Sequence, residues 1–273
     1  MRLLFLGDIV GRSGRDALAE RLPQLRRELA LDFVIANGEN AAGGYGITGK
    51  ICQGIYGAGV DVITTGNHVW DQREIIPYIE GDARLLRPQN FPKGTPGRGM
   101  GLFRTVDGKR IAVIHVMLRL FMDPLDDPFA SIDAMLAQHR LAETADAIVL
   151  DMHGEATSEK QALGYYADGR VSLAVGTHTH VPTSDHRILP KGSAYISDVG
   201  MCGDYESVIG MQREASVFRF TRKLPTERLA PAEGEATLCG VVVETDDKTG
   251  LAKGVAPLRV GGVLTAERPQ SRG

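Results

Sequence analysis

Short apolar runs bounded by Gly, Asp or Asn recur through the first two thirds of the chain: Leu3 to Leu6, Phe33 to Ala36, Val60 to Thr65, Ile111 to Val116, Ala147 to Leu150 and Val171 to Val175. Runs this short and this uniformly apolar read as strands covered on both faces. Between them lie stretches with helical period. The clearest sets Leu18, Leu22, Leu25 and Leu29 on one face, with Ser13 as the expected N-cap, Asp16 three residues on, and Pro23 as an expected kink. Further helices are expected over Thr48 to Ala58, Ser131 to Glu143 and Thr157 to Tyr166. Strand alternating with helix implies an α/β sheet covered by helices.

Gln89 to Gly101 carries Pro92, Pro96 and closely spaced glycines and reads as a long loop. Beyond residue 185 the helical signal fades, and strands are expected at Arg187 to Leu189, Ala194 to Ser197, Ala215 to Phe220, Leu238 to Thr245 and Leu251 to Val260. The last two would be joined as a hairpin through Asp247-Lys248-Thr249-Gly250. Thr226 to Glu235 reads as a polar loop. One domain over residues 1–266 is the simplest division of the 273 residues, with a disordered tail over 267–273.

Composition narrows the setting. Apolar residues at 43% and charged residues at 24% suit a chain that buries a sizeable core. A net charge of -3 supplies no general attraction to nucleic acid or anionic lipid, so any affinity for phosphate has to be local. Cys52, Cys202 and Cys239 are odd in number and lack CxxC spacing, which argues against a disulfide framework or a thiolate zinc site and fits a reducing cytoplasm. The apolar start ends at Asp8, too early for a signal peptide, and no run approaches the roughly 20 apolar residues of a membrane span. Cytoplasmic location without membrane association is expected; assembly into a homo-oligomer stays open.

The polar residues fall where the strands end. Asp8 follows the first, Asn37-Gly38-Glu39-Asn40 the second, Gly66-Asn67-His68 the third, His153 the fifth, and Thr177-His178-Thr179-His180 the sixth. In α/β sheets, ligands bind in the crevice beyond the carboxyl ends of strands, so these distant segments are expected to meet. Imidazoles mixed with carboxylate and amide oxygens suit iron, manganese or zinc, whereas magnesium and calcium prefer oxygen alone. A carboxylate such as Glu39 can bridge two ions about 3.5 to 4 Å apart, an arrangement that activates water and needs no protein nucleophile. The chain also lacks a Gly-x-Ser-x-Gly elbow and a Walker loop.

Asp8, Gly66-Asn67-His68, His153 and Gly176-Thr177-His178-Thr179-His180 resemble the signature blocks of the calcineurin-like metallophosphoesterases. Val10 stands where that superfamily has a His, and Glu39 replaces its bridging Asp. Both departures resemble the YmdB-like branch, as do Gly7-Asp8-Ile9-Val10-Gly11, Asp151-Met152-His153-Gly154-Glu155 and Ser197-Asp198-Val199-Gly200-Met201-Cys202-Gly203. Where that branch carries a polar Asn-Leu-type segment after the fourth strand, this chain reads His115-Val116-Met117-Leu118.

The resemblance implies a metallophosphoesterase fold of two facing mixed β-sheets flanked by α-helices, holding two divalent or mixed-valence metal ions. One would be held by Asp8, Glu39, Asn40 and His180, the other by Glu39, Asn67, His153 and His178. His68 would stay free as the catalytic acid, a role imidazole suits near neutral pH. The implied substrate is a small phosphate ester, foremost a 2′,3′-cyclic nucleotide such as 2′,3′-cyclic AMP. A phosphomonoesterase or nucleotidase would use the same ligands, and a nucleotide-sensing module without turnover is the reading from another class.

Each residue also has a plainer role. Asp8, Asn40 and Asn67 suit helix caps and turns, and His178 with His180 could form a structural pair. His115, His139 and His186 read as structural, Asp151 and Glu155 as groups that orient ligands from buried positions or else as surface or capping groups, and Lys93, Arg98 and Arg104 as contacts to a substrate phosphate or, more simply, solvated loop charges.

Overall fold

Alternate residues of the first strand face opposite ways, and both ways are covered. The computed structural model describes residues 1–225 and 228–270. Its strands are β1 (Arg2–Leu6), β2 (Asp8–Ile9), β3 (Phe33–Asn37), β4 (Val62–Thr64), β5 (Leu85–Leu86), β6 (Met100–Arg104), β7 (Arg110–Met117), β8 (Ala147–His153), β9 (Leu173–Thr177), β10 (Arg187–Ile188), β11 (Ala194–Ile196), β12 (Met201–Asp204), β13 (Ala236–Thr245) and β14 (Ala252–Val260). Its helices are α1 (Gly11–Glu28), α2 (Gly49–Gly57), α3 (Ile75–Gly81), α4 (Pro128–Gln138), α5 (Thr157–Ala167) and α6 (Arg213–Arg222).

The strands form two sheets, one ordered β2-β12-β13-β1-β3-β4-β5 with β14 paired to β13, the other β10-β11-β9-β8-β7-β6. Leu3 and Phe5 of β1, Phe33 and Ile35 of β3, and Val62 of β4 share one core with Val113, Val149 and Val175 from the other sheet. Leu4 and Leu6 point the other way, into a second core with Leu18, Leu22 and Leu25 of α1 and Ile55 of α2. A third core joins Ile114 and Leu150 to Ile132 of α4 and Leu163 of α5. The order is therefore helix, sheet, sheet, helix, and burial on both faces explains why the central strands lack polar alternation. Both sheets are mixed, as the metallophosphoesterase resemblance implies.

The parallel runs set up the site. β1, β3 and β4 run parallel in one sheet, and β7, β8 and β9 in the other, so in each set the carboxyl ends share an edge. Among the described residues, no helix is long and apolar enough to cross a membrane.

Several elements differ from the sequence reading. Helix α1 begins at Gly11, two residues before the expected Ser13 cap, and runs through Pro23. The Ser13 hydroxyl instead donates to the Ala232 carbonyl. Thr48 does cap α2, accepting from Ile51 N–H. Helix α4 starts earlier and ends earlier than expected, because Asp127 accepts from Phe129 N–H with Pro128 in the first turn, and Thr144 folds back onto Arg140. The loop from Gln89 ends at Met100, where β6 pairs with β7.

The largest correction is Ala215 to Phe220, expected as a strand and observed inside helix α6. Val217, Phe218 and Phe220 carry strong strand propensity, yet propensity yields to context. Ser216, Arg219, Phe220 and Lys223 recur at helical spacing and line one cavity, a mixed-polarity face invisible to hydrophobic periodicity. Of the tail expected beyond residue 266, Glu267 pairs with Arg259 through both backbone bonds, and Gln270 accepts from Arg2. Residues 271–273, like Thr226 and Glu227 of the polar loop, lie outside the described residues.

Candidate metal centre

Every side chain proposed as a ligand arrives on a strand end or on the loop just beyond it. His153 closes β8, and Asn67 follows β4 after a two-residue step. Gly66 makes their meeting possible, since a Cβ there would lie 2.1 Å from Glu39 Oε2 and 2.3 Å from His153 Nε2. Around His153 Nε2 stand Asn67 Oδ1 at 3.0 Å, Glu39 Oε2 at 3.2 Å and His178 Nδ1 at 3.2 Å. Four electron-pair donors on one point, two of them imidazole nitrogens, is a poor hydrogen-bond network and a good cation site.

Asp8, Glu39 and His180 form a second group whose donor atoms lie within 4.8 Å of one another, and Glu39 belongs to both groups. The fit to a cation is tested by unsatisfied atoms. Asp8 Oδ1 and Asn40 Oδ1 are buried and accept no hydrogen bond among the described residues, a costly state that a metal would relieve. The other ends of both side chains are tied down: Asp8 Oδ2 accepts from His178 N–H at 3.1 Å, and Asn40 Nδ2 donates to the Gly44 carbonyl at 3.0 Å. His180 donates through Nδ1 to the Ile209 carbonyl at 2.7 Å, which turns Nε2 toward the group.

The charges reinforce this reading. Burial pushes the Asp8 carboxyl up to about 7, against the pull of His180 and His153. Burial alone would raise Glu39 as well, but His153 beside it, then His68 and His178, hold it far below the usual carboxylate range. For His153, burial opposes protonation, yet Glu39 and Asp8 outweigh it and raise the ring to about 9. Burial and the neighbouring His153 lower His178 to about 3. The buried carboxylates thus draw positive charge, a proton on His153 in the absence of anything better.

His68 stands apart from both groups of donors. Its backbone N–H donates to Glu39 Oε2 at 3.2 Å, its Nδ1 lies 2.9 Å from Asp71 Oδ2, and its ring packs edge-on to Tyr45. With Nδ1 engaged by Asp71, Nε2 is the nitrogen left for a ligand. His68 lines a cavity of about 550 Å³ whose floor is Glu39, Asn40, His178 and His180.

Of the groups that hold these side chains, the sequence reading considered Asp151 and missed Thr177, Lys160 and Asp198. Thr177 is central: His153 Nδ1 meets its hydroxyl at 2.9 Å, and that hydroxyl donates to Asp151 Oδ1 at 2.7 Å. Asp151 is fully buried and has His115 on its other oxygen at 3.2 Å, so the buried role considered for Asp151 is the one observed and the surface role is not. Beneath the histidine loop, Lys160 Nζ donates to the Thr177 carbonyl and to Asp198 Oδ2, both at 2.8 Å. Asp198 also accepts from Thr179 N–H and Gly200 N–H. This staple holds His178 and His180 in left-handed conformations, φ 103° and 66°. Lys160 carried no sequence signal beyond a cation inside a helix.

Glu155 reaches His178 Nε2 at 3.4 Å from a half-exposed position. His139, His186, Lys93, Arg98 and Arg104 do not line the cavity.

Two facing sheets with histidine, amide and shared carboxylate donors at their strand ends define a metallophosphoesterase. More narrowly, the chain belongs to the YmdB-like protein family, whose family model matches residues 4–258. A Bacillus subtilis relative named 2′,3′-cyclic-nucleotide 2′-phosphodiesterase is 51% identical over 249 residues, covering 91% of this chain and 93% of the relative. A Thermus thermophilus crystal structure described as a hypothetical protein superposes with a TM-score of 0.90 at 41% identity, covering 96% of this chain and 100% of that one. A Mycoplasma pneumoniae structure described as a novel phosphatase gives 0.87 at 34% identity, covering 96% and 93%.

Proposed function

We propose that the chain is a dinuclear-metal phosphodiesterase that opens 2′,3′-cyclic nucleotides. The observation that carries this reading is Glu39, whose carboxylate belongs to two donor groups at once. Asp8, Glu39, Asn40 and His180 would hold one ion, and Glu39, Asn67, His153 and His178 the other. The mixed nitrogen and oxygen donors favour iron or manganese, with zinc the next choice. When bound, such a pair supplies Lewis acidity toward phosphoryl oxygens and lowers the pKa of the attacking water.

The chain's own residues do the rest. Thr177 and Asp151 fix the His153 ring, and the Lys160–Asp198 staple fixes the loop that presents His178 and His180. His68 stands over the cavity with Asp71 on Nδ1, oriented to protonate the ribose oxygen that leaves phosphorus as the ring opens. Ring opening expels a ribose alkoxide, a strongly basic leaving group whose departure protonation assists.

The test is turnover by protein reloaded with manganese or iron, against 2′,3′-cyclic AMP, acyclic diesters and monoesters, with His68→Ala in parallel. The cyclic diester is expected to react fastest, and His68→Ala to lower kcat by about 10²- to 10⁴-fold while metal content is retained. Fastest turnover of monoesters would favour a phosphatase, as the Mycoplasma pneumoniae structure is described. Undiminished kcat in His68→Ala would remove its acid role.

A further inference from the structure

The candidate ligands make up only part of the cavity lining. Beside them the lining is apolar and aromatic: Tyr45, Val208, Ile209, Met211, Phe220 and Leu229. A phosphate has no use for such a surface. At about 550 Å³ the cavity falls within the roughly 300 to 1,000 Å³ of pockets that enclose small organic ligands. Ile209 and Phe220 are 56% and 72% exposed, and apolar groups left in water beside a reactive site mark a surface that a ligand covers.

The backbone goes out of its way to place Ile209. Val208 and Met211 exchange both backbone hydrogen bonds, at 2.9 and 3.0 Å, around Ile209 at φ 48° and Gly210 at φ 93°. A two-residue turn with both central residues at positive φ strongly prefers Asn-Gly or Asp-Gly. Here a β-branched apolar residue takes the first position. Its carbonyl fixes His180 while its side chain lines the cavity, so one turn serves both the metal group and the wall.

Both rings of the wall also carry a cation. The Arg228 guanidinium lies 4.5 Å from the Tyr45 ring centre, and the Lys223 ammonium 5.8 Å from that of Phe220. Arg219 of α6 and Lys223, the residue just beyond that helix, line the same cavity. Aromatic faces beside cations suit a flat π-system attached to an anionic phosphate.

We infer that this wall, formed by Tyr45, the Val208–Met211 turn and helix α6, is a subsite for the base of a nucleoside phosphate. The inference rests on the phosphodiesterase reading above and adds to it the feature by which the enzyme selects nucleotides from simpler esters. Stacking tolerates every base, so the selection is for a base over none rather than for one base over another.

The experiment compares adenosine 2′,3′-cyclic phosphate with the 2,3-cyclic phosphate of methyl riboside, which lacks the base, on manganese-loaded protein. The ratio of their kcat/KM values is expected to favour the nucleotide and to fall about five- to a hundredfold in Phe220→Ala, while Phe220→Trp restores it. Phe220 is mostly exposed, so its truncation leaves the fold intact. Calorimetric binding of adenosine monophosphate and of methyl riboside phosphate separates the two readings. Base-dependent affinity without turnover sustains the subsite and refutes the hydrolytic reading. Equal ratios in wild type and Phe220→Ala, with no base-dependent affinity, overturn the subsite.

Discussion

Replacing Lys160 with Met removes a charge and keeps most of the aliphatic stem, which isolates what the ammonium does. The side chain is 0% exposed, and its partner Asp198 is 1% exposed. Lys160→Met deletes two hydrogen bonds of 2.8 Å, leaving the buried Thr177 carbonyl without this donor and the Asp198 carboxylate without its counter-ion. Breaking one side of a buried pair costs about 3 to 5 kcal/mol. Asp198 keeps the N–H groups of Thr179 and Gly200 at 3.0 and 2.9 Å, which places the expected loss near the lower bound, about 3 kcal/mol. That is a large share of the roughly 5 to 15 kcal/mol by which a folded chain is stable.

Urea unfolding of chelator-treated protein measures this loss without the linkage that bound metal adds. The double variant K160M/D198N is expected to lose less than the sum of the single variants by about 1 to 3 kcal/mol, because neither charge is then stranded. Metal affinity should fall in K160M as well, since the staple holds the loop of His178 and His180. A loss below about 1 kcal/mol, or strict additivity, would refute the staple.

Gly66→Ala places a methyl group where Glu39 Oε2 and His153 Nε2 approach, 2.1 and 2.3 Å from its Cβ, so bound metal measured by atomic emission should drop sharply. Full metal content in that variant would show that the two side chains do not need this contact. Metal uptake should also depend on pH. In the metal-free protein the His153 ring, raised to about 9, holds a proton at neutral pH that a metal must displace. Affinity, read by chelator competition, is therefore expected to rise about tenfold per pH unit from 7 to 9 and to level off above. Below pH 7 the dependence should steepen, because the Asp8 carboxyl, at about 7, then holds a second proton. A flat profile from pH 6 to 9 would contradict both assignments.

How far the sequence alone reached follows from what each signal depends on. Buried strands announce themselves because a sheet covered on both faces needs uninterrupted apolar side chains, and β1, β3, β7, β8 and β9 were all legible for that reason. The candidate ligands were legible because parallel strands put their carboxyl ends on one edge, where Asp8, Glu39, Asn67, His153 and His178 have no other common purpose. Short pairings such as β2 with β12 left no trace, since two residues carry no periodicity.

Tertiary structure alone decided the remainder. Helix α6 presents one face to the cavity, and its sequence reads as a strand when that face is unknown. Lys160 looks like any helix cation until Asp198, 38 residues away, is brought within 2.8 Å of it. The candidate donors are written in the local sequence because chemistry demands particular atoms. The groups that aim those donors, and the wall beside them, are settled by long-range packing, because any residue of suitable shape and charge can serve once the chain has brought it there.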